Sequence, residues 1–153
     1  MQTLLTDTQK KAVLENAKNI IIIGLSPDAQ KPSFQVASYL LAKGYTIIPV
    51  YPRGGEILGQ KAFCSLKDAL ISLAQKNEQC DIIDVFRKSE ALPAVLSEIC
   101  ALSHLSSFDK NRLCVWVQLG LKSQEAYQKA QECGILYQED SCIEIEHQRL
   151  FAS

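Results

Sequence analysis

The sequence predicts a three-layer α/β fold, Rossmann-like, with a mostly parallel five-stranded sheet in the order 3-2-1-4-5. Three observations carry this. Ile20-Ile21-Ile22-Ile23 is wholly apolar and stops at Gly24, as a strand does when helices cover both of its faces. Five such short runs alternate with helical patterns, which calls for a parallel sheet between two helical layers. Right-handed crossovers from a central first strand give the order.

The elements follow along the chain. Leu4 to Ala17 has helical spacing, with Leu5, Ala12, Val13 and Ala17 as inward positions. Ile20 to Ile23 is the first strand. Ser33 to Lys43 is a helix with Phe34, Ala37, Leu40 and Leu41 on one side, and Gly44 stops it. Ile47 to Val50 is the second strand and Leu66 to Gln75 the next helix. Asp81 to Phe86 forms the third strand. Glu90 to Leu102 is a helix that accepts Pro93 in its first turn, where no donor is lost. Leu113 to Leu119 is the fourth strand. Ser123 caps a helix that runs to Cys133 and closes at Gly134. Ile135 to Gln138 is the fifth strand, and residues 142–153 form a closing helix or an irregular tail. Ser103 to Arg112 is polar and reads as a surface loop. All 153 residues are expected to form one domain, with residues 1–18 as an N-terminal helix.

Composition narrows the function. Apolar residues are 47% of the chain, enough for a full core at this length. Charged residues are 22% and the net charge is -1, so a broad cationic surface for nucleic acid is not expected. No apolar run approaches the roughly 20 residues that cross a bilayer. The first residues lack the apolar centre of a secretion signal. The six cysteines contain no Cys-x-x-Cys pair, so zinc and dithiol signatures are absent. Reduced thiols in a cytoplasmic setting are the expectation.

In such sheets ligands bind beyond the carboxyl ends of the strands, where strand order reverses. The first turn there holds Gly24, Leu25, Ser26, Lys31 and Ser33. A glycine, a helix start and a lysine at one point suit a phosphate through free backbone N–H groups, the helix dipole and charge. Neither the full Gly-x-Gly-x-x-Gly fingerprint nor a Gly-Lys-Ser/Thr P-loop is present. The second turn is Pro49-Val50-Tyr51-Pro52-Arg53. It carries no acid of the kind that reads the free ribose of NAD. Its stiff apolar backbone can line an adenine, and Arg53 either meets a sugar phosphate or stands solvated. Gly59 serves a turn. Arg87 and Lys88 follow the third strand on the same rim.

Other polar residues are assigned quieter roles. Asp81 and Asp84 are three apart on a strand and face opposite sides, so they do not form an acid–base pair. Asp84 is expected to accept backbone hydrogen bonds. Trp116 reads as core with its N–H satisfied, while Gln118, on the same side, lies nearer the rim. His104 faces solvent and His147 reads as structural. Cys142 has no cation beside it in sequence to activate it as a nucleophile.

Seven segments in register resemble the small bacterial CoA-binding domain proteins, which are similar to the CoA-binding part of the succinyl-CoA synthetase alpha subunit. They are Ile23 to Pro27, Lys31 to Ser33, Ile48 to Pro52, Glu56 to Gly59, Asp81 to Arg87, Trp116 to Gly120 and Cys142 to His147. The resemblance runs from about Asn19 to Leu150. It implies a Rossmann-like domain that binds coenzyme A or an acyl-CoA, with no autonomous catalysis. It places Gly24, Leu25, Ser26, Lys31 and Ser33 at the phosphates. Pro49, Val50 and Tyr51 would border the adenosine, with Ile57 and Gly59 nearby. Phe86 and Arg87 would approach the pyrophosphate or pantetheine arm, and Trp116, Gln118 and Gly120 would lie further along the rim. Tyr51 stands where the family commonly has Asn, Lys88 where Arg is frequent, and Ser141 where Arg is frequent. The alternative on the same residues is an NADP-binding oxidoreductase or redox sensor, because a basic second turn serves either extra phosphate. An acyl-CoA transferase subunit awaiting a partner chain is a third reading.

Overall fold

A computed structural model describes residues 4–152; the helix and tail expectations for residues 1–3 and 153 lie outside them. The elements are α1 (Asp7–Asn16), β1 (Asn19–Ile23), α2 (Pro32–Ala42), β2 (Thr46–Val50), β3 (Glu56–Ile57), β4 (Gln60–Lys61), α3 (Leu66–Gln75), β5 (Ile82–Val85), α4 (Leu92–Ala101), β6 (Cys114–Val117), α5 (Gln124–Cys133), β7 (Leu136–Gln138) and α6 (Ile143–Leu150). A short 3-10 turn, Ser89–Ala91, leads into α4. The five expected strands are β1, β2, β5, β6 and β7, and every pairing among them is parallel. Five consecutive buried residues in β1 feed both cores. Ile21 and Ile23 face α3, α4 and α5; Ile20 and Ile22 face α1, α2 and α6. No helix among the described residues is long and apolar enough to cross a membrane.

The strand order differs from the expectation. It is β2-β1-β5-β6-β7, so the third major strand sits against the first and not beyond the second. Pro49 gives the reason. Thr46 N–H donates to Lys18 O and Gly24 N–H to Val50 O, so residues 46, 48 and 50 turn their main chain towards β1. The main chain of Pro49 therefore faces outward, where proline has no N–H for a further strand. Among the described residues one residue is paired there: Phe63 donates to Pro49 O at 2.9 Å and accepts from Tyr51 N–H at 2.8 Å. The β3–β4 hairpin delivers that residue, turning through Leu58 and Gly59, both at positive φ.

Two smaller corrections concern packing. Ala12 is exposed on α1, and Leu14 is the residue that helix buries. The segment Ser103 to Arg112 is more than a surface loop, because Ser107 and Phe108 are buried. Ser107 donates through Oγ to Leu70 O at 2.6 Å and accepts at its carbonyl from Cys80 N–H.

Helix α6 closes the molecule. Lys10 pairs with Glu146 at 2.6 Å, and Arg149 bridges Asp7 and Glu146. His147 Nδ1 lies 2.8 Å from the Tyr39 hydroxyl, and its ring stacks on Phe151 at 4.7 Å. Burial first, and Lys43 second, hold the His147 pKa below its ordinary value. The unfolded chain therefore takes up a proton near pH 6.5 that the folded chain refuses, so this group subtracts stability as pH falls below that point. His147→Gln is expected to flatten the fall in urea midpoint between pH 7.5 and 5.5. An equally steep fall in the variant would assign the dependence to other groups.

Candidate functional site

The carboxyl ends of the parallel strands form one crown. The observed order moves the reversal point to the gap between β1 and β5, the position at which doubly wound sheets of this order bind ligands. Gly24 leaves β1 there at φ 84°. Its N–H donates to Val50 O at 3.1 Å, and Ile23 O accepts from Phe86 N–H at 2.9 Å. A Cβ on Gly24 would collide with the Phe86 carbonyl oxygen. Phe86 and Arg87 thus adjoin the first turn, where the expected order would have set them two strands away.

The first turn is more self-contained than expected. Ser26 N–H donates to Ser33 Oγ at 3.0 Å, Asp28 N–H to Ser26 Oγ at 3.0 Å, and Gln30 N–H to Asp28 Oδ1 at 2.9 Å. Lys31 N–H donates to Asp28 O, and Phe34 and Gln35 both donate to Lys31 O. Pro32, the first residue of α2, has no N–H. Most donors expected to meet an anion therefore hold the loop in shape. Buried Ser33 braces the turn, and Lys31 rather than Ser33 is the N-cap residue of α2. Leu25 is fully buried and serves the core through its side chain.

Charge at the crown rests on side chains. Lys31, Arg53 and Lys88 are exposed and Arg87 is half-buried. Ion pairs among the described residues engage Lys10, Lys18, Arg112 and Arg149, and none of these four crown cations. Pro49 and Val50 are buried beneath the rim, and Tyr51 is half-buried. Ile57 is buried against the core, and Gly59 turns the hairpin at φ 74°. Gly120 N–H is taken by Asp140 Oδ1 at 2.7 Å, so that amide is engaged within the protein. Gln118 keeps a buried Oε1 with no partner among the described residues.

A cavity of about 190 Å³ opens at this end beside Arg87, with Val50, Cys64, Ser65 and Glu98 in its wall. Cys64, Ser65 and Glu98 gave no signal in the sequence. Residues 60–63 reach the outer margin of β2 through long-range pairing, and residues 64 and 65 follow them. A larger concavity, about 480 Å³, lies at the opposite end of the sheet beside Asp81 and Arg112. There the Asp81 carboxylate accepts from Lys18 N–H at 2.7 Å, from Asn19 N–H at 2.9 Å and from Arg112 Nε. Its oxygens tie the start of β1 to β5, which is structural work, so the crown remains the candidate site.

The Val85 backbone N–H acts on the Asp84 carboxyl and favours its charged form, but burial outweighs it. Asp84 is fully buried between Ile22 and Trp116 on neighbouring strands, and neither carboxyl oxygen has a hydrogen-bond partner of good geometry among the described residues. Burial pushes its pKa well above the usual carboxylate range. Trp116 meets its expectation, with Nε1 donating to Ser141 O at 3.1 Å. His104 is exposed, and all six cysteines are free.

The chain matches the CoA binding domain family over residues 18–148, from the start of β1 into α6. It belongs to that family. This CoA-binding domain is 36% identical over 137 residues to the Bacillus subtilis (strain 168) protein YneT, with 90% of each chain covered. It superposes on a solved Thermus thermophilus protein, cell-free ID.343, with a TM-score of 0.81 and 36% identity, covering 96% of this chain and 100% of that one. A hypothetical protein from Pyrococcus horikoshii OT3 gives a TM-score of 0.80 at 26% identity over 99% of both chains. All of helix α1 precedes the matched region of this CoA-binding domain, and its ion pairs to α6 bind it to the shared fold.

Proposed function

We propose that the crown binds coenzyme A or an acyl-CoA and that the chain catalyses no reaction by itself. The observation that carries this is the meeting of Phe86, the residue before Arg87, with the Gly24 turn, in a crown whose four cations make no ion pair among the described residues. Coenzyme A carries a pyrophosphate and a 3′-phosphate, and uncommitted lysine and arginine side chains suit both. In this reading Lys31, Arg87 and the Ser26 hydroxyl meet the pyrophosphate. Arg53 meets the 3′-phosphate, and Pro49, Val50 and Tyr51 border the adenine. Leu25, Ser33, Ile57, Gly59 and Gly120 shape the rim from within, and Phe86 and Gln118 face the pantetheine arm. His147 is left out of any chemistry because Tyr39 and Phe151 hold its ring.

Titration calorimetry with coenzyme A tests the proposal. The expected affinity is micromolar, about 8 kcal/mol, with NADPH failing to compete. Arg87→Ala is expected to weaken binding ~10-fold or more, the size of a charge-assisted hydrogen bond. Lys31→Ala should weaken it less and lower its sensitivity to salt. Absence of heat at about 1 mM coenzyme A would overturn the assignment. Unchanged affinity in both variants would move the phosphates elsewhere.

A further inference from the structure

Two cysteines meet far from the crown, where the last turns of α4 and α5 lie side by side. Cys100 is the next-to-last residue of α4 and Cys133 the last of α5, and both are free and half-buried. Cys100 Sγ lies 4.0 Å from Lys129 O. In α5 that carbonyl is the helical acceptor one turn before Cys133, so the contact sets the two thiols over the same turn. Both line one surface cavity of about 370 Å³, together with Lys110, Lys129 and Glu132. Burial pushes the Cys100 thiol up to about 12, the adjacent Cys133 thiol pushes the same way, and Lys110 and Lys129 pull against both. The other thiols lack this arrangement. Cys80 and Cys114 are enclosed in the core, and Cys64 and Cys142 sit on separate loops near the crown.

We propose that Cys100 and Cys133 form an oxidisable dithiol that takes an anionic small-molecule disulfide as its electron acceptor. Cys133 attacks first, as a thiolate, on one sulfur of the external disulfide. The external S–S bond breaks, a mixed disulfide forms on Cys133, and the first small thiol leaves and takes a proton. Cys100 then gives up its proton and attacks the Cys133 sulfur, expelling the second small thiol. Two protein thiols lose two electrons and two protons, and one external disulfide becomes two thiols. Lys110 and Lys129 supply the charge that draws an anionic reagent to the cavity. The product would staple α4 to α5 at the end of the sheet opposite the crown, and it stands independently of the coenzyme reading.

The test uses the full chain carrying Cys64→Ser, which removes the exposed thiol. The protein is equilibrated across ratios of reduced to oxidised glutathione, quenched with acid, and read by intact mass and peptide mapping. The expected result is a loss of two hydrogens with a single Cys100–Cys133 crosslink in folded protein. Cys100→Ser should trap a glutathione adduct on Cys133 instead. Lys110→Ala with Lys129→Ala should slow oxidation by glutathione disulfide several-fold while leaving cystamine, a cationic disulfide, unslowed. The proposal fails if both thiols stay open to alkylation at every ratio, if crosslinks scatter over other cysteines, or if the crosslink forms only in denaturant. Equal slowing of both reagents by the lysine changes would overturn the choice of an anionic acceptor.

Discussion

Gly24→Ala should lower the stability of the fold by about 3 kcal/mol or more, the sum of a left-handed backbone cost and an overpacking cost. Gly24 holds φ at 84°, and an added methyl would press on the Phe86 carbonyl. That carbonyl belongs to the segment pinned to β1 by the Phe86 N–H bond to Ile23 O, so it cannot retreat without breaking the join between β1 and β5. Gly44 provides the control. It also has positive φ, at 96°, but a Cβ there meets nothing within 4 Å. Gly44→Ala should cost only about 1 kcal/mol. In thermal melts the difference corresponds to a further loss of several degrees for Gly24→Ala, at roughly 2–4 °C per kcal/mol for a chain of this size. Equal melting temperatures for the two variants would show that the β1–β5 join yields freely.

Asp84→Val should stabilise the protein, and increasingly so as pH rises. Valine has nearly the shape of aspartate and suits a buried strand. The wild-type carboxyl makes no hydrogen bond of good geometry among the described residues, and burying a polar group in that state costs about 1–3 kcal/mol by mutational measures. Because its pKa is raised in the fold, the folded chain keeps a proton that the unfolded chain has released above about pH 4. Wild-type stability therefore falls as pH rises through that window, by at most ~1.4 kcal/mol per pH unit from this group. Chemical denaturation of both proteins from about pH 4 upward, with His147 common to both and cancelling in the difference, should show the gap widening as pH rises. A constant gap, or a less stable variant, would mean that Asp84 has support the fold does not display.

Much of this architecture could be read from the sequence, and the errors have physical causes. Four consecutive isoleucines before Gly24 located β1 because only a strand covered on both faces tolerates them. Ser123, Pro93 and Gly134 marked helix ends as capping chemistry requires: Ser123 Oγ accepts from Ala126 N–H, and Gly134 closes α5 at φ 79°. The strand order was also encoded, in Pro49, but its meaning depends on which way a proline's nitrogen faces, and that requires the register with β1. Ser26 and Ser33 looked like ligand groups because their partners are each other's loop, a pairing that spacing alone does not reveal. Ser107 and Phe108 looked solvent-exposed because a polar stretch hides two buried residues. At the crown, Lys31, Arg53, Arg87 and Lys88 were all legible as cations on one rim. That Phe86, the residue before Arg87, adjoins Gly24 followed only from the corrected order, and the Cys64 and Glu98 wall only from tertiary placement.

The residue pair Pro49–Phe63 has a consequence for how these molecules behave in a crowd. Bare strand margins invite copies of a protein to zip together and precipitate. Here the flank of β2 is plugged by the chain itself: Phe63 occupies both the Pro49 acceptor and the Tyr51 donor, and the imino acid leaves a gap in the donor row. An intruding strand would find the Pro49 acceptor and the Tyr51 donor already taken and would have to peel away Phe63 to reach them, which guards the carboxyl half of this flank against aggregation beside the candidate rim.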